Sequence, residues 1–235
     1  MALLEMKKIS KSFGFPALQN VDLSIDAGDR IGLIGPNGSG KTTLTNIITG
    51  LIACDDGQVI FENRDITKLS AHRRSRLGIA RTFQIPQPFY SLIVRQNLYI
   101  PLRCRLKSEE AMFTEAGRLL DLVGLSDKAD GLPSDLTQIE QRELELARAL
   151  ALSPRLLILD EVLAGLTSQE IDGALEILRV ICESGVTVIM IEHIMKAVMG
   201  FCNKIVVLNS GMKIAEGMPE DIFRNPEVER AYLGE

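Results

Sequence analysis

Nine residues, Gly35-Pro36-Asn37-Gly38-Ser39-Gly40-Lys41-Thr42-Thr43, set three glycines, a lysine and two threonines at the spacing of a phosphate-gripping loop, G-x-x-x-x-G-K-[ST]. Glycines let a backbone curl until several N–H groups converge on one anion. A helix starting there adds unpaired N–H groups and the positive end of its dipole. In this chemistry Lys41 reaches the β- and γ-phosphates of a nucleotide, and Thr42 offers its hydroxyl to Mg²⁺. The plainer alternative is a glycine-rich turn between a strand and a helix. A second group is Asp160-Glu161, which ends the apolar run Leu156–Leu159. An aspartate there can hold Mg²⁺ directly or through water, and the glutamate can polarise a water for attack on the γ-phosphate. The alternative is a pair of acids capping the next turn. A third is Glu192-His193, which closes the run Val186–Ile191. Its histidine either meets the γ-phosphate or is simply a packed or exposed side chain.

These groups need elements to converge them. Arg30–Ile34 reads as a buried strand feeding the glycine loop, and Leu44–Ile48 as the start of the helix behind it. Leu156–Leu159 is continuously apolar, the pattern of a parallel strand buried on both faces, and Val186–Ile191 reads as the next buried strand. Ligands of open α/β sheets sit beyond the carboxyl ends of such strands, which brings Asp160 and His193 to the phosphate edge. Residues 3–34 read as strands joined by turns, with Val21–Ile25 alternating as a half-buried strand does. Phe13, before the first turn, either packs or stacks on an adenine ring. Gly57–Glu62 is a further strand, and Ile79–Gln84 reads as a strand ending on a glutamine. Pro86 and Pro88 then break the pattern.

From about Ser91 to Leu152 the periodicity turns helical, which implies a helical subdomain inserted into an α/β core. Ser168–Ser184 reads as a helix with Ser168 at its N-cap, and Lys204–Asn209 and Met212–Ala215 as a strand pair around Ser210-Gly211. The tail from Pro219 to Leu233 reads as helix interrupted at Pro226. The basic turn Ser70–Arg76 is either an anion or nucleic-acid patch or a solvated helix face.

The chain of 235 residues is 46 % hydrophobic and carries a net charge of −5, which fits a globular protein and argues against a general grip on nucleic acid. No apolar run approaches the roughly 18 residues that cross a bilayer. The start Met1–Glu5 has no signal-like character. A cytosolic chain is expected, with any membrane role arising through a partner. Cys54, Cys104, Cys182 and Cys202 form no C-x-x-C pair and read as reduced, mostly packing residues.

The order of these motifs resembles an ATP-binding cassette (ABC) subunit over essentially the whole chain. It is most similar to the cassettes of branched-chain amino-acid importers, through Gly78–Pro86, Ile191–Gly200 and the ending Ala231–Glu235. The resemblance implies a P-loop NTPase core of mixed, largely parallel sheet with flanking helices, an N-terminal antiparallel β subdomain and an inserted α-helical subdomain. Residues 1–86 and 153–235 would form the core, and 87–152 the insertion, of a single 1–235 domain. It implies ATP and Mg²⁺ as ligands, Phe13 as the adenine-stacking residue, and Gln84 as the sensor of Mg²⁺ and the attacking water. The surface near Gln84 and Phe89 would receive a helix of a membrane permease. Ala164–Thr167 falls where the family's dimer-contacting loop lies.

One stretch departs from the family. Leu136-Thr137-Gln138-Ile139-Glu140-Gln141 stands where the signature L-S-G-G-Q is carried, and Ile139 replaces a glycine that closes on the opposite subunit's γ-phosphate. Thr137-x-x-Glu140 still reads as a capping box opening the helix from Gln138 to Ala151. Smaller departures are Val162, where proline is usual, and Ile194, where aspartate often follows the histidine. The resemblance therefore implies an asymmetric pair with a different cassette subunit, permease subunits, and indirectly a solute-binding protein, on the cytoplasmic face of the membrane. A cassette for lipid or lipopolysaccharide export, a soluble cassette of DNA repair or translation, and a weakly hydrolysing regulatory module are the alternatives.

Overall fold

A computed structural model describes residues 2–233; Met1, and Gly234 and Glu235 of the ending Ala231–Glu235, lie outside the described residues. The chain opens with a hairpin, β1 (Ala2–Ser12) and β2 (Pro16–Asp26), turned at Phe13–Phe15. On β2, Val21, Leu23 and Ile25 are buried while Asp22, Ser24 and Asp26 face out, as the period of two requires. Then come β3 (Arg30–Ile34), α1 (Lys41–Thr49), β4 (Asp56–Phe61), β5 (Arg64–Asp65), α2 (Ala71–Arg76) and β6 (Ile79–Arg81). Three helices follow: α3 (Val94–Leu102), α4 (Glu109–Leu122) and α5 (Gln138–Leu150). The chain then returns as β7 (Leu156–Asp160), α6 (Ser168–Glu183), β8 (Thr187–Ile191), α7 (Met195–Phe201), β9 (Lys204–Asn209) and β10 (Met212–Gly217). It finishes in α8 (Pro219–Ile222) and α9 (Pro226–Leu233), broken where the sequence predicts.

Two sheets result. One is antiparallel in the order β2-β1-β4-β5; the other runs β10-β9-β3-β8-β7-β6, parallel except for β10 against β9. Each strand of the parallel sheet feeds both of its faces in alternation. Leu157, Leu159, Val188 and Met190 join a core with the inserted helices and α6. Leu156, Ile158, Ile189 and Ile191 join a second core with α1 and the antiparallel sheet. This alternation decides where the side chains beyond the strand tips point.

Three expectations change. β6 stops at Arg81 instead of Gln84: the Thr82 N–H makes the last ladder bond, to Ile158 O at 2.9 Å, and Gln84 lies on the loop that leads to Pro86. The cap of α6 is Thr167, whose hydroxyl accepts from the Glu170 N–H while Glu170 accepts from the Thr167 N–H at 2.7 Å; Ser168 has no acid three residues on. The basic turn is not a purely solvated face, because Arg74 is only 2 % exposed. Its guanidinium donates to Ile47 O and Ile48 O at the end of α1 and to Thr67 O and Leu69 O, satisfying carbonyls that a helix end leaves bare. The four cysteines are free, with Cys202 buried, Cys54 and Cys182 half-buried and Cys104 exposed.

Candidate nucleotide site

The loop after β3 is shaped by contacts that only glycine permits. Gly35 has φ +148°, and a Cβ there would lie 2.0 Å from Leu208 O. Gly40, at φ +106°, caps α1, and a Cβ would come within 2.7 Å of Ala17 O. Lys41 opens α1 and folds back over the loop, donating to Gly35 O at 2.7 Å and Pro36 O at 3.0 Å. Burial holds its ammonium below the usual lysine range, against the opposing pull of the Glu161 and Asp160 carboxylates. The Ser39 hydroxyl is buried in the same loop with no hydrogen-bond partner among the described residues.

A cleft of about 300 Å³ opens over this loop. Asn37 to Thr43 line it on one side; Gln84, Asp160, Glu161 and His193 line it on the other. Gly35 and Pro36 stand behind it, as carbonyl partners of Lys41. Phe13 is 52 % exposed at the rim, with Lys11 Nζ 5.4 Å from its ring centre, and joins neither core. Phe15, still more exposed, shares that rim. Sequence reasoning passed it over, although two phenylalanines flanking one glycine turn were a signal.

The acids divide their work. Glu161 sits at φ +50°, a left-handed conformation that bulky residues seldom adopt, with its N–H on Ile191 O at 3.0 Å. Its Oε2 accepts from Gln84 Nε2 at 2.6 Å, and its Oε1 lies 3.1 Å from His193 Nε2. Three residues from separate segments of the chain thus meet at one carboxylate. Asp160 points from the same face of β7 as Leu156 and Ile158, and its Oδ2 accepts from Arg81 Nη2 at 2.5 Å. Arg81 Nη1 also donates to Asn46 Oδ1 on α1, at 2.5 Å.

Glu192 faces the other way. It is 1 % exposed, its Oε1 accepts from the Leu163 N–H at 2.8 Å, and burial pushes its carboxyl up to about 7. Arg142 of α5 donates to Ala164 O one residue further on. The sequence reading gave no role to Arg81 or Asn46 and did not separate Glu192 from His193; strand parity was the available signal for Arg81 and Glu192.

Thr137, Gln138, Ile139 and Glu140 are not among the cleft residues. They open α5 through a reciprocal capping box, with the Thr137 N–H on Glu140 Oε2 at 2.7 Å and the Glu140 N–H on Thr137 Oγ1 at 3.3 Å. Thr137 and Gln138 are exposed. Ile139 is half-buried and lines a separate apolar cavity of about 290 Å³ between α5 and α6, beside Val162 and Leu166.

A parallel α/β sheet with a glycine loop, a helix dipole and a lysine at one edge defines a nucleoside-triphosphate-binding protein. The ABC transporter family profile matches residues 18–164. A probable branched-chain amino acid transport ATP-binding protein LivG of Archaeoglobus fulgidus is 38 % identical, over 100 % of this chain and 96 % of its own length. The high-affinity branched-chain amino acid transport ATP-binding protein BraF of Pseudomonas aeruginosa is 35 % identical over 99 % and 98 %. Among solved structures, the ADP conformation of MJ1267, an ATP-binding cassette of an ABC transporter, superposes with a TM-score of 0.90 at 33 % identity, covering 100 % of both chains. A dimeric post-hydrolysis state of the cassette MJ0796 bound to ADP and phosphate gives 0.84 at 26 % identity, over 92 % of this chain and 98 % of that one. This chain belongs to the ABC transporter family, as one of its ATP-binding, ATP-hydrolysing cassettes. No helix among the described residues is long and apolar enough to cross a membrane.

Proposed function

We propose that this cassette powers an importer of branched-chain amino acids or similar small solutes from the cytoplasmic face of the membrane. The observation that carries the mechanism is Glu161 held between Gln84 and His193 at the mouth of the phosphate cradle. Glu161 polarises the attacking water, and His193 steadies that carboxylate and meets the γ-phosphate. Gly35 to Thr43 wrap the phosphates, with Lys41 swinging from its loop carbonyls to the β- and γ-oxygens. Phe13 stacks on the adenine. The donors at hand suit Mg²⁺: the Thr42 hydroxyl, the Asp160 carboxylate and the Gln84 amide oxygen are all hard ligands, and Gln84 spends its Nε2 on Glu161, which keeps Oε1 available. Mg²⁺, when bound, neutralises charge on the β- and γ-oxygens.

The partners in this reading are permease subunits, a second cassette and, indirectly, a solute-binding protein. Phe83, Ile85, Phe89 and Tyr90, all exposed around the Gln84 loop, supply an apolar seat for a permease helix. The chain works as one domain, with core segments 1–86 and 153–235 and a helical insertion at 87–152. Thr137 to Glu140 are the face offered to the ATP of the second cassette. A β-branched Ile139 in place of glycine supports a different, complementary subunit as that partner. The test is reconstitution with the permease pair, the second cassette and the solute-binding protein in liposomes. Glu161→Gln should abolish turnover and ATP-driven leucine uptake while ATP binding persists. Retained turnover would remove Glu161 as the base, and wild-type turnover with no leucine, isoleucine or valine uptake would refute the importer.

A further inference from the structure

Arg81 occupies a place no ordinary surface arginine takes. Its side chain is 6 % exposed, and its guanidinium is strung between Asp160 Oδ2 and Asn46 Oδ1, each at 2.5 Å. Its Nε is buried without a partner, and the Phe83 ring lies 5.7 Å away, one residue before Gln84. One cation therefore touches α1 behind the phosphate loop, the tip of β7, and the start of the glutamine loop. A buried carboxylate without a counter-charge is costly, and here a neighbouring acid, Glu161, makes it costlier. Arg81 takes Oδ2 of an aspartate that lines the nucleotide cleft.

We propose that Arg81 is a positioning residue of the metal site: it neutralises and aims Asp160 while no metal is bound, so that the cassette accepts ATP before, or without, Mg²⁺. This rests on the ATP and Mg²⁺ reading above. With Arg81 in place, an arriving triphosphate meets a paired aspartate. Without it, the phosphates face an uncompensated carboxylate, and only the metal-loaded nucleotide binds well.

The test is equilibrium binding of a fluorescent, non-hydrolysable ATP analogue to the full chain, in excess Mg²⁺ and again in EDTA, with thermal unfolding of each variant measured alongside. Arg81→Gln should weaken metal-free binding about tenfold more than metal-loaded binding, the scale of one charge–charge interaction at a partly buried site. Adding Asp160→Asn should return metal-free affinity to within about threefold of wild type, because a neutral pair no longer repels the phosphates. That double variant also leaves no buried unpaired charge, so it carries the test if Arg81→Gln alone does not fold. Arg81→Lys keeps the charge and should keep the wild-type ratio. Equal weakening in both conditions, or a double variant with metal-free binding well below wild type, would overturn the role of Arg81. Wild-type protein that binds the analogue in neither condition would overturn the nucleotide site itself.

Discussion

Glu192→Gln isolates one buried charge and should change how stability depends on pH. Glu192 is 1 % exposed, and burial, helped by the nearby Glu161 carboxylate, raises its carboxyl from 4.5 to about 7; the Leu163 N–H pulls in the opposite direction. The folded chain therefore holds this proton more tightly than the unfolded chain does. Its contribution to stability is greatest where the group is protonated and is lost as pH rises from about 4.5 through about 7. The full shift corresponds to roughly 3 kcal/mol, and the part between pH 5.5 and pH 8 to roughly 2 kcal/mol. Glutamine keeps an oxygen for the Leu163 N–H but has nothing to ionise. Whatever its extra N–H groups cost is the same at every pH.

The assay is thermal unfolding of wild type and Glu192→Gln by circular dichroism at pH 5.5, 6.5, 7.5 and 8. Between the ends of that series wild type should lose roughly 4–8 °C more than the variant. The variant should gain on wild type above neutrality and lose that advantage in acid. Parallel curves would refute the reasoning, since they would mean that Glu192 titrates alike in the folded and unfolded chains.

Two structural predictions accompany it. Arg74→Met strips hydrogen bonds from four backbone carbonyls and should cost about 3–5 kcal/mol in urea unfolding, with Arg74→Lys recovering only part, because one ammonium cannot span Ile47, Ile48, Thr67 and Leu69. Thr167→Ala should cost about 1 kcal/mol, and its combination with Glu170→Ala should cost less than the sum of the two, since each side chain caps through the other.

Much of the fold was legible because it rests on local rules. A continuous apolar run marked β7, apolar-rich stretches marked β3 and β8, proline punctuated the tail, and Thr137-x-x-Glu140 marked the start of α5. The grouping at the cleft was legible because strand tips of a parallel sheet share one edge, which brings Asp160, Glu161 and His193 to the glycine loop. What escaped was set by tertiary contact. Arg74 looked like any basic helix residue until the end of α1 was known to lie beside it. Thr167 and Ser168 are equally good caps by type, and only Glu170 three residues on separates them. Gln84 was placed on a strand because nothing in residues 79–84 shows that β7 has no ladder left to offer beyond Ile158.

Strand parity also explains why β8 serves two sites with adjacent residues. Ile189 and Ile191 lie on the α1 face, so His193 follows them to the nucleotide cleft; Val188 and Met190 lie on the other face, so Glu192 follows them inward. Between these two side chains hangs the segment after β7. The Glu161 N–H is held by Ile191 O, the Leu163 N–H by Glu192, and Ala164 O by Arg142 of α5. Three hydrogen bonds within four residues leave this segment no position independent of β8 and α5. The Leu163–Ala164 backbone is thus tied on both sides, to Glu192 and to Arg142. That backbone is bonded at once to Glu192, beside His193 at the end of β8, and to the helix that Thr137 caps.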